Sequence, residues 1–348
     1  MKEERLLYPD ILRVISAFFV ILIHVTSVGI TGYEVGSSVW MTSLVLNNLS
    51  RWCVPVFFMI SGMFMLDPEK EVTISRLFKK NVSRMILCIV VWGFFYSLLD
   101  QILYGEISLK SLPIAVYGIA TGNTGGYHLW FLYTLVILYI ETPILRVFTK
   151  HADKRQIEYA LAVWFLFSIV FVQAASLANE LLWFEVSFSY GAITLTGYSG
   201  YYLLGYYLHK CPVERTKLYP AIRVVALMLL VVMPLGNVVV AYHLKCSWIE
   251  FIHMPLGVGT CMVSVAIFLM AKRVRLNKTG KVARCVRFVA RYTFGIYLVH
   301  VFFHSMLFGV IQVDLTSGTI FGWSFVIYII SGLTTALLSK IPLVKEIV

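Results

Sequence analysis

Residues 10–24, D-I-L-R-V-I-S-A-F-F-V-I-L-I-H, combine an apolar helical run with an acid, an arginine and a histidine. Charged and titratable side chains are costly at membrane depth, and those found there usually serve a function. Asp10 and Arg13 are three residues apart, so on a helix they are neighbours and can pair. His24 follows Arg13 by eleven residues, which is about three turns and about 16 Å along the axis. The stretch predicts a membrane helix with an anion-binding group near one end and a titratable ring deeper on the same face.

Both features also have purely structural interpretations. Asp10 and Arg13 could be an interfacial pair that only anchors the end of the helix. His24 could be a hydrogen-bonded histidine that serves helix packing. The spacing alone does not decide between these interpretations and a functional site.

The composition of the 348-residue chain indicates a membrane protein. Hydrophobic residues make up 59% of the chain and charged residues 14%. The mean hydropathy is +0.82, which is too apolar for a soluble domain of this length. No small-residue cleavage site follows the first apolar run, so we expect a retained span rather than a signal peptide. The net charge of +11 is explained by the positive-inside rule, and no nucleic-acid partner is expected.

Apolar length and polar breaks predict an all-α, polytopic membrane protein with ten transmembrane helices. The predicted spans are 11–30, 44–66, 82–104, 129–148, 157–178, 190–208, 219–243, 249–271, 288–310 and 319–339. The segment 107–127 is short and glycine-rich, so we expect it to be interfacial or re-entrant. We see no internal repeat or second domain, and we predict a single transmembrane domain over residues 1–348.

Basic residues predict the orientation of these helices. With the N-terminus inside, the inner segments hold 25 lysines and arginines, whereas the outer loops hold only Lys110 and Lys245. This asymmetry follows the positive-inside rule and predicts that both termini are cytoplasmic. The expected location is the cell (cytoplasmic) membrane, crossed many times.

Further titratable residues lie inside the predicted spans. Counting from the cytoplasmic ends places Glu141 near the level of Arg13, as a candidate partner, and His300 in the interior. Arg51 lies in the outer part of the second span and needs an anion, a carbonyl or water. His128 opens the fourth span at the outer face. Together these residues outline a polar path, which both proton-relay transport and transmembrane group transfer need.

Two further stretches carry signals with structural alternatives. The first inner loop, R-L-F-K-K-N-V-S-R at 76–84, places Lys80 and Arg84 at a cytoplasmic helix entrance, where they suit a phosphate-rich ligand. Contact with lipid headgroups or control of membrane topology would also account for these basic residues. The spacing alone favours one of these structural roles over a ligand site. In the second span Pro55 predicts a kink, and Gly62 predicts a close helix approach that we interpret as plain packing.

Several enzyme and metal signatures are absent from the sequence. There is no G-x-S-x-G elbow, no phosphate-binding G-x-x-x-x-G-K-[ST] loop and no H-E-x-x-H zinc motif. The six cysteines show no metal-ligand spacing, so no metal site is predicted. Only Cys246 falls in a predicted outer loop, so no outer disulfide is expected.

The Arg-x10-His pattern of the first span resembles the acyltransferase 3 family of integral membrane acyltransferases. Further matches, in the family's order, are V-P-V-F-F-M-I-S-G (54–62), H-L-W-F-L-Y (128–133), Y-Y-L-L-G-Y-Y-L (201–208) and R-Y-T-F-G-I-Y-L-V-H (291–300). The chain is similar to short members without an extracytoplasmic domain, such as O-acetyltransferases of bacterial surface polysaccharides.

The resemblance implies acyl-CoA as cytoplasmic donor, a glycan hydroxyl as acceptor, His24 as the catalytic histidine and Arg13 as the donor-site arginine. Arg84 matches the second arginine of the family's Arg-x-x-Arg at the third helix. Asn81 stands where the first is expected, and a neighbouring lysine such as Lys80 would supply the missing charge. This loop therefore departs from the family pattern. A lysine ammonium group binds phosphate less well than the planar guanidinium of arginine, which can make two parallel hydrogen bonds.

We therefore expect a membrane O-acyltransferase that moves an acetyl group from acetyl-CoA to a cell-surface glycan or its lipid-linked precursor. Acetyl-CoA is a substrate, no bound cofactor is expected, and membrane lipid is a further partner. The residues expected to support the site are Asp10, Glu141, Arg51, His128 and His300. Two alternatives stay open: a transporter that relays protons through its histidines, and a ligand-binding membrane domain like that of the membrane-bound serine racemases.

Overall fold

The computed structural model describes residues 6–104, 111–122, 126–181, 197–277, 279–342 and 344–348. It is 81% helical, and the described residues contain no strand. The all-α prediction is confirmed. Its physical basis is that an apolar run in lipid must satisfy its backbone hydrogen bonds within the segment.

The helices follow the apolar runs. They are α1 (Tyr8–Gly32), α2 (Ser38–Ser50), α3 (Cys53–Met65), α4 (Ile74–Leu77), α5 (Ser83–Tyr104), α6 (Ser111–Thr121), α7 (Trp130–His151), α8 (Lys154–Trp164), α9 (Phe171–Leu181), α10 (Gly197–Lys210), α11 (Leu218–Leu244), α12 (Glu250–His253), α13 (Val258–Lys272), α14 (Lys281–Ala290), α15 (Thr293–His304) and α16 (Ile320–Leu338). Single π-helical turns at Phe78–Val82, Phe165–Val170 and Ser305–Val310 and 3₁₀ turns at Tyr127–Leu129, Val213–Arg215 and Lys345–Ile347 complete them.

Eight helical segments in the described part of the chain are long and apolar enough to cross a membrane. Of the ten predicted spans, one is described only in part and another is divided. The predicted span 190–208 begins outside the described residues, and its described part is α10, with 14 residues. The predicted span 249–271 is divided: α12 ends before Pro255, and α13 has 15 residues. A proline disfavours helical backbone in the residue before it, which explains the break. The count of ten and the orientation of the termini stay predictions.

The second predicted span also breaks, but not where its proline lies. Helix α2 ends at Ser50, residues 51–52 form a turn, and α3 begins at Cys53. Pro55 is therefore in the first turn of α3, where backbone N–H groups have no intrahelical acceptor. The proline fits a helix start, so the expectation of a mid-helix kink at this position is corrected.

The Cα positions divide into two compact units that are interleaved along the chain. The first comprises residues 1–67, 148–291 and 315–325, and the second comprises residues 68–147, 292–314 and 326–348. The first unit holds Asp10, Arg13, His24 and Arg51, and the second holds Lys80, Arg84, His128, Glu141 and His300. The prediction of one domain over residues 1–348 stays a prediction.

In the first unit, α1 packs against α2, α3, α13 and α14, and α3 packs closely against α10. A Cβ atom on Gly62 would lie 1.8 Å from the backbone oxygen of Tyr202, and one on Gly205 would lie 2.0 Å from that of Met59. Only glycine permits this approach of two helix backbones. The packing interpretation of Gly62 is confirmed.

In the second unit, α5 packs against α6, and aromatic hydroxyl groups tie neighbouring helices together. Tyr133 on α7 donates to the carbonyl of Ile119 on α6 at 2.6 Å. Gly295 on α15 faces Thr335 on α16 so closely that an added Cβ would lie 2.1 Å from its methyl carbon. These contacts fix the helices that carry the histidines of this unit.

Candidate active site

The first site element is the ion pair at the start of α1. Asp10 is 1% exposed, and its Oδ1 atom lies 3.3 Å from the Nη1 atom of Arg13. A carboxylate in the first turn of a helix also complements the helix dipole. The Arg13 guanidinium lies 5.2 Å from the ring centroid of Phe64 on α3, and its side chain is 31% exposed. The predicted pairing is present, and the Arg13 side chain is partly exposed.

His24 lies farther along the same helix. Because α1 is continuous from Tyr8 to Gly32, the eleven residues after Arg13 correspond to about 16 Å and a rotation of about 20°. The two side chains therefore project from nearly the same helix face. His24 is half-buried, which suits a ring that must meet a substrate while being shielded from bulk water.

A polar network ties α2 to the turn of α1 that carries His24. The Asn47 side-chain amide donates to the Ile23 carbonyl at 3.0 Å and to the Thr26 hydroxyl at 2.8 Å. Its oxygen accepts a bond of 2.8 Å from the Nε atom of Arg51. Arg51 thus has the polar partner that its position in an apolar span requires. The sequence analysis did not single out Asn47, although its i,i+4 spacing from Arg51 was a visible signal.

The network continues from α2 toward α11. The Asn237 side chain donates to Asn48 Oδ1 at 3.3 Å and accepts from the backbone N–H of Ile249 at 2.9 Å. Asn237 is 0% exposed, so its hydrogen bonds replace those that water would make. The carboxylate of Glu250 acts electrostatically on Arg51. Arg51 therefore lies in a polar region that spans three helices of the first unit.

Arg84, a predicted donor-binding residue, contacts the end of the chain. Its Nε atom donates to the Glu346 carbonyl at 2.8 Å, and its Nη2 atom donates to Val348 at 3.1 Å. The indole of Trp92, two turns along α5, donates to the Ile347 carbonyl at 2.8 Å. The segment 345–348 thus occupies the Nε and Nη2 donors of Arg84. Lys80 lies one turn earlier in the π-helical turn and is exposed.

Glu141 lies on α7 in the second unit and is half-buried. Arg13 forms an ion pair with Asp10. Pairing between Glu141 and Arg13 stays a prediction.

His128 and His300 are brought together in the second unit. Both are buried, at 2% and 0% exposure, and their ring centroids are 5.2 Å apart. The Nδ1 atom of His300 lies 2.6 Å from the Tyr297 carbonyl. A carbonyl can only accept, so Nδ1 carries the proton and the neutral ring presents Nε2 as an acceptor. The sequence predicted these two histidines in separate spans and gave no indication that their rings are in contact.

Each unit holds side chains that suit group transfer. The first unit offers an arginine for an anion and a histidine on the same helix face, and the second offers two buried imidazoles. Among the described residues, no group of three or more His, Cys, Asp or Glu side chains could hold a metal ion.

Comparison with known proteins identifies the family. A family model described as an acyltransferase domain, Acyl_transf_3, matches residues 6–341. No curated protein and no solved structure matches the chain. The match covers nearly all of the chain, and eight helical segments among the described residues are long and apolar enough to cross a membrane. The chain belongs to the acyltransferase 3 family of membrane proteins.

Proposed function

We propose that the protein is an O-acyltransferase that moves an acetyl group from acetyl-CoA to a hydroxyl of a cell-surface glycan or of its lipid-linked precursor. The observation that carries the proposal is the display of Arg13 and His24 on one face of the continuous helix α1. Family membership supports acyl transfer. The acetyl-CoA donor, the acetyl group and the glycan acceptor are proposals.

Arg13 binds the donor in this proposal. Asp10 orients the guanidinium through one of its nitrogens, and a planar guanidinium suits phosphate or pantetheine oxygens. Arg84 and Lys80 are the additional cations at the predicted cytoplasmic entrance. Release of the segment 345–348 would make the Nε and Nη2 donors of Arg84 available for a bidentate phosphate contact.

His24 performs the chemistry in one of two ways. As a general base it removes the proton of the acceptor hydroxyl while that oxygen attacks the thioester carbonyl. The carbon–sulfur bond then breaks, and the imidazolium returns its proton to the CoA thiolate. As a nucleophile, His24 attacks the thioester itself, releases CoA and passes the acyl group from an acyl-imidazole to the acceptor. Arg51, tethered through Asn47 to the same turn of α1, stabilises the oxyanion that forms in either case.

A detergent assay tests the proposal against transport. Purified protein receives acetyl-CoA with a radiolabelled acetyl group, together with a lipid-linked glycan fraction from the host membrane. Acyl transfer proceeds without a sealed vesicle, whereas transport requires one. We expect the label in the glycan fraction and one added acetyl mass per acceptor hydroxyl. Ligand binding with no acetyl-CoA turnover would instead support a binding domain and contradict the proposal.

The two chemical routes are distinguished by omitting the acceptor. Mass spectrometry of the protein after incubation with the donor alone would show an added acetyl group on His24 if the residue is a nucleophile. An unmodified His24, together with active transfer once the acceptor is added, would assign the general-base route.

A further inference from the structure

The buried histidines of the second unit form an enclosed group with two tyrosines. His128 lies in the 3₁₀ turn before α7 and packs edge-on against Tyr96, with ring centroids 5.0 Å apart, and against Tyr297, at 5.3 Å. His300 lies 5.2 Å away. Three separate segments, α5, residues 127–129 and α15, place these four rings together. We call this group the histidine–tyrosine cluster.

The hydrogen bonds within the cluster do not fully satisfy the His128 ring. The Tyr96 hydroxyl donates to the Leu298 carbonyl and the Tyr297 hydroxyl to the His128 backbone carbonyl, both at 2.6 Å. Both phenolic protons are therefore used by backbone. In the described part of the chain, neither ring nitrogen of His128 makes a hydrogen bond of normal geometry, and the Leu298 carbonyl, which already accepts from Tyr96, is the backbone group that interacts with the ring. A buried polar side chain in this state calls for a bound water or ligand.

The chemistry of the cluster limits what that ligand can be. A neutral imidazole offers one N–H donor and one nitrogen acceptor. Among the described residues, His300 is the titratable group that acts electrostatically on His128. Arg84 lies twelve residues before Tyr96 on α5, or about 18 Å along the axis. A phosphate or carboxylate needs a cation, which the cluster lacks. A hydroxyl group is neutral and can both donate and accept.

We propose that the histidine–tyrosine cluster is a binding site for a neutral hydroxyl group, and that the acceptor alcohol supplies it during the reaction. Water supplies the same group when no acceptor is bound. His128 is a positioning residue, which holds the hydroxyl through one of its ring nitrogens, and His300 lies beside it. The part that concerns the acceptor rests on the proposed acyltransferase function, whereas the hydroxyl site itself does not.

The hydroxyl site is tested without the reaction. Protein labelled with ¹⁵N-histidine is placed in lipid nanodiscs, and the His128 ring signals are assigned by their loss in His128→Phe. In solid-state NMR we expect cross-peaks from the His128 nitrogens to water protons, and glycerol, used as a probe alcohol, should replace these with cross-peaks to its own hydroxyl protons. Persistence of the water signal in glycerol would assign the site to water and overturn the acceptor role. Ring nitrogens without a hydroxyl contact in either solvent would overturn the site.

The acceptor role is tested by transfer kinetics. His128→Phe keeps an aromatic ring of similar size and removes both nitrogens, so the fold should be retained, as thermal unfolding can verify. We expect at least a tenfold loss of acetyl transfer to the glycan fraction, with acetyl-CoA affinity within about twofold of the native value. Tyr133→Phe, which removes a hydroxyl already used by a backbone carbonyl, is the control and should keep native transfer. Native transfer by His128→Phe would overturn the role. If the native protein transfers no acetyl group, the proposed function fails while the NMR result still stands.

Discussion

Replacing Asn47 with leucine tests the network that ties Arg51 to the helix of His24. The change keeps the approximate shape of the side chain but removes two donated bonds to α1 and one bond accepted from Arg51. Interhelical hydrogen bonds in membrane proteins contribute about 0.6 kcal/mol each, and a bond to a charged group contributes about 1.5–3 kcal/mol. The three bonds together predict a loss of about 3 kcal/mol in the free energy of unfolding.

The adjacent residue provides a matched control. Asn48→Leu is the same substitution in the same turn of α2, but the interhelical bond it removes is the one of 3.3 Å with Asn237. We expect it to cost about 0.6 kcal/mol. The two variants should therefore differ by about 2 kcal/mol in equilibrium unfolding with increasing SDS in mixed micelles.

Activity gives the second readout for Asn47→Leu. Release of Arg51 should reduce acyl transfer while donor affinity, which depends on Arg13, changes little. Equal stability of Asn47→Leu and Asn48→Leu, together with native transfer by both, would refute the role of the network. Loss of stability with unchanged transfer per folded molecule would restrict Asn47 and Arg51 to packing.

Three further predictions concern the donor site and the topology. Arg13→Lys should weaken acetyl-CoA binding in calorimetric titration by about tenfold, because lysine lacks the planar fork, and unchanged affinity with intact expression would make Arg13 an anchor. Deletion of residues 345–348 should strengthen acetyl-CoA binding, because it exposes the donors of Arg84; weaker or equal binding would contradict competition by this segment. In single-cysteine variants of intact cells, an impermeant maleimide should label Cys246 and spare Cys285 until the membrane is opened. Burial raises the pKa of the Cys246 thiol, so its labelling should keep increasing above the pH at which an ordinary thiol is already ionised.

The helical fold and the Asp10–Arg13 pair could be predicted because both depend on local sequence. An apolar run of sufficient length must form a helix in lipid, and residues three apart on a helix are neighbours. The continuous α1 then fixes the relation of Arg13 to His24. Gly62 was interpreted correctly for a similar reason, since a small residue in an apolar span signals close packing.

The helix breaks were harder to predict from the sequence. Hydropathy averages over a window, so it does not distinguish one helix over 44–66 from α2 and α3 separated by a short turn. Pro55 suggested a kink at its own position, whereas a proline is also well suited to the first turn of a new helix. The same averaging joined α12 and α13 across Pro255.

The long-range contacts could not be predicted from local patterns. Arg84 lies 262 residues before Glu346, and His128 lies far from His300 in the sequence. Tertiary packing decides which of these segments meet. Each histidine lies in its own sequence motif. Their contact with Tyr96 and Tyr297 is visible only in the structure.

Acyl transfer by purified His24→Ala protein in detergent tests the central claim most directly. A positioned acid–base residue contributes about 10²–10⁴ in rate, so we predict a loss of at least about a hundredfold in the transfer of radiolabelled acetyl from acetyl-CoA, with acetyl-CoA affinity and membrane insertion unchanged. Transfer at a large fraction of the native rate would contradict the assignment of His24 as the catalytic residue.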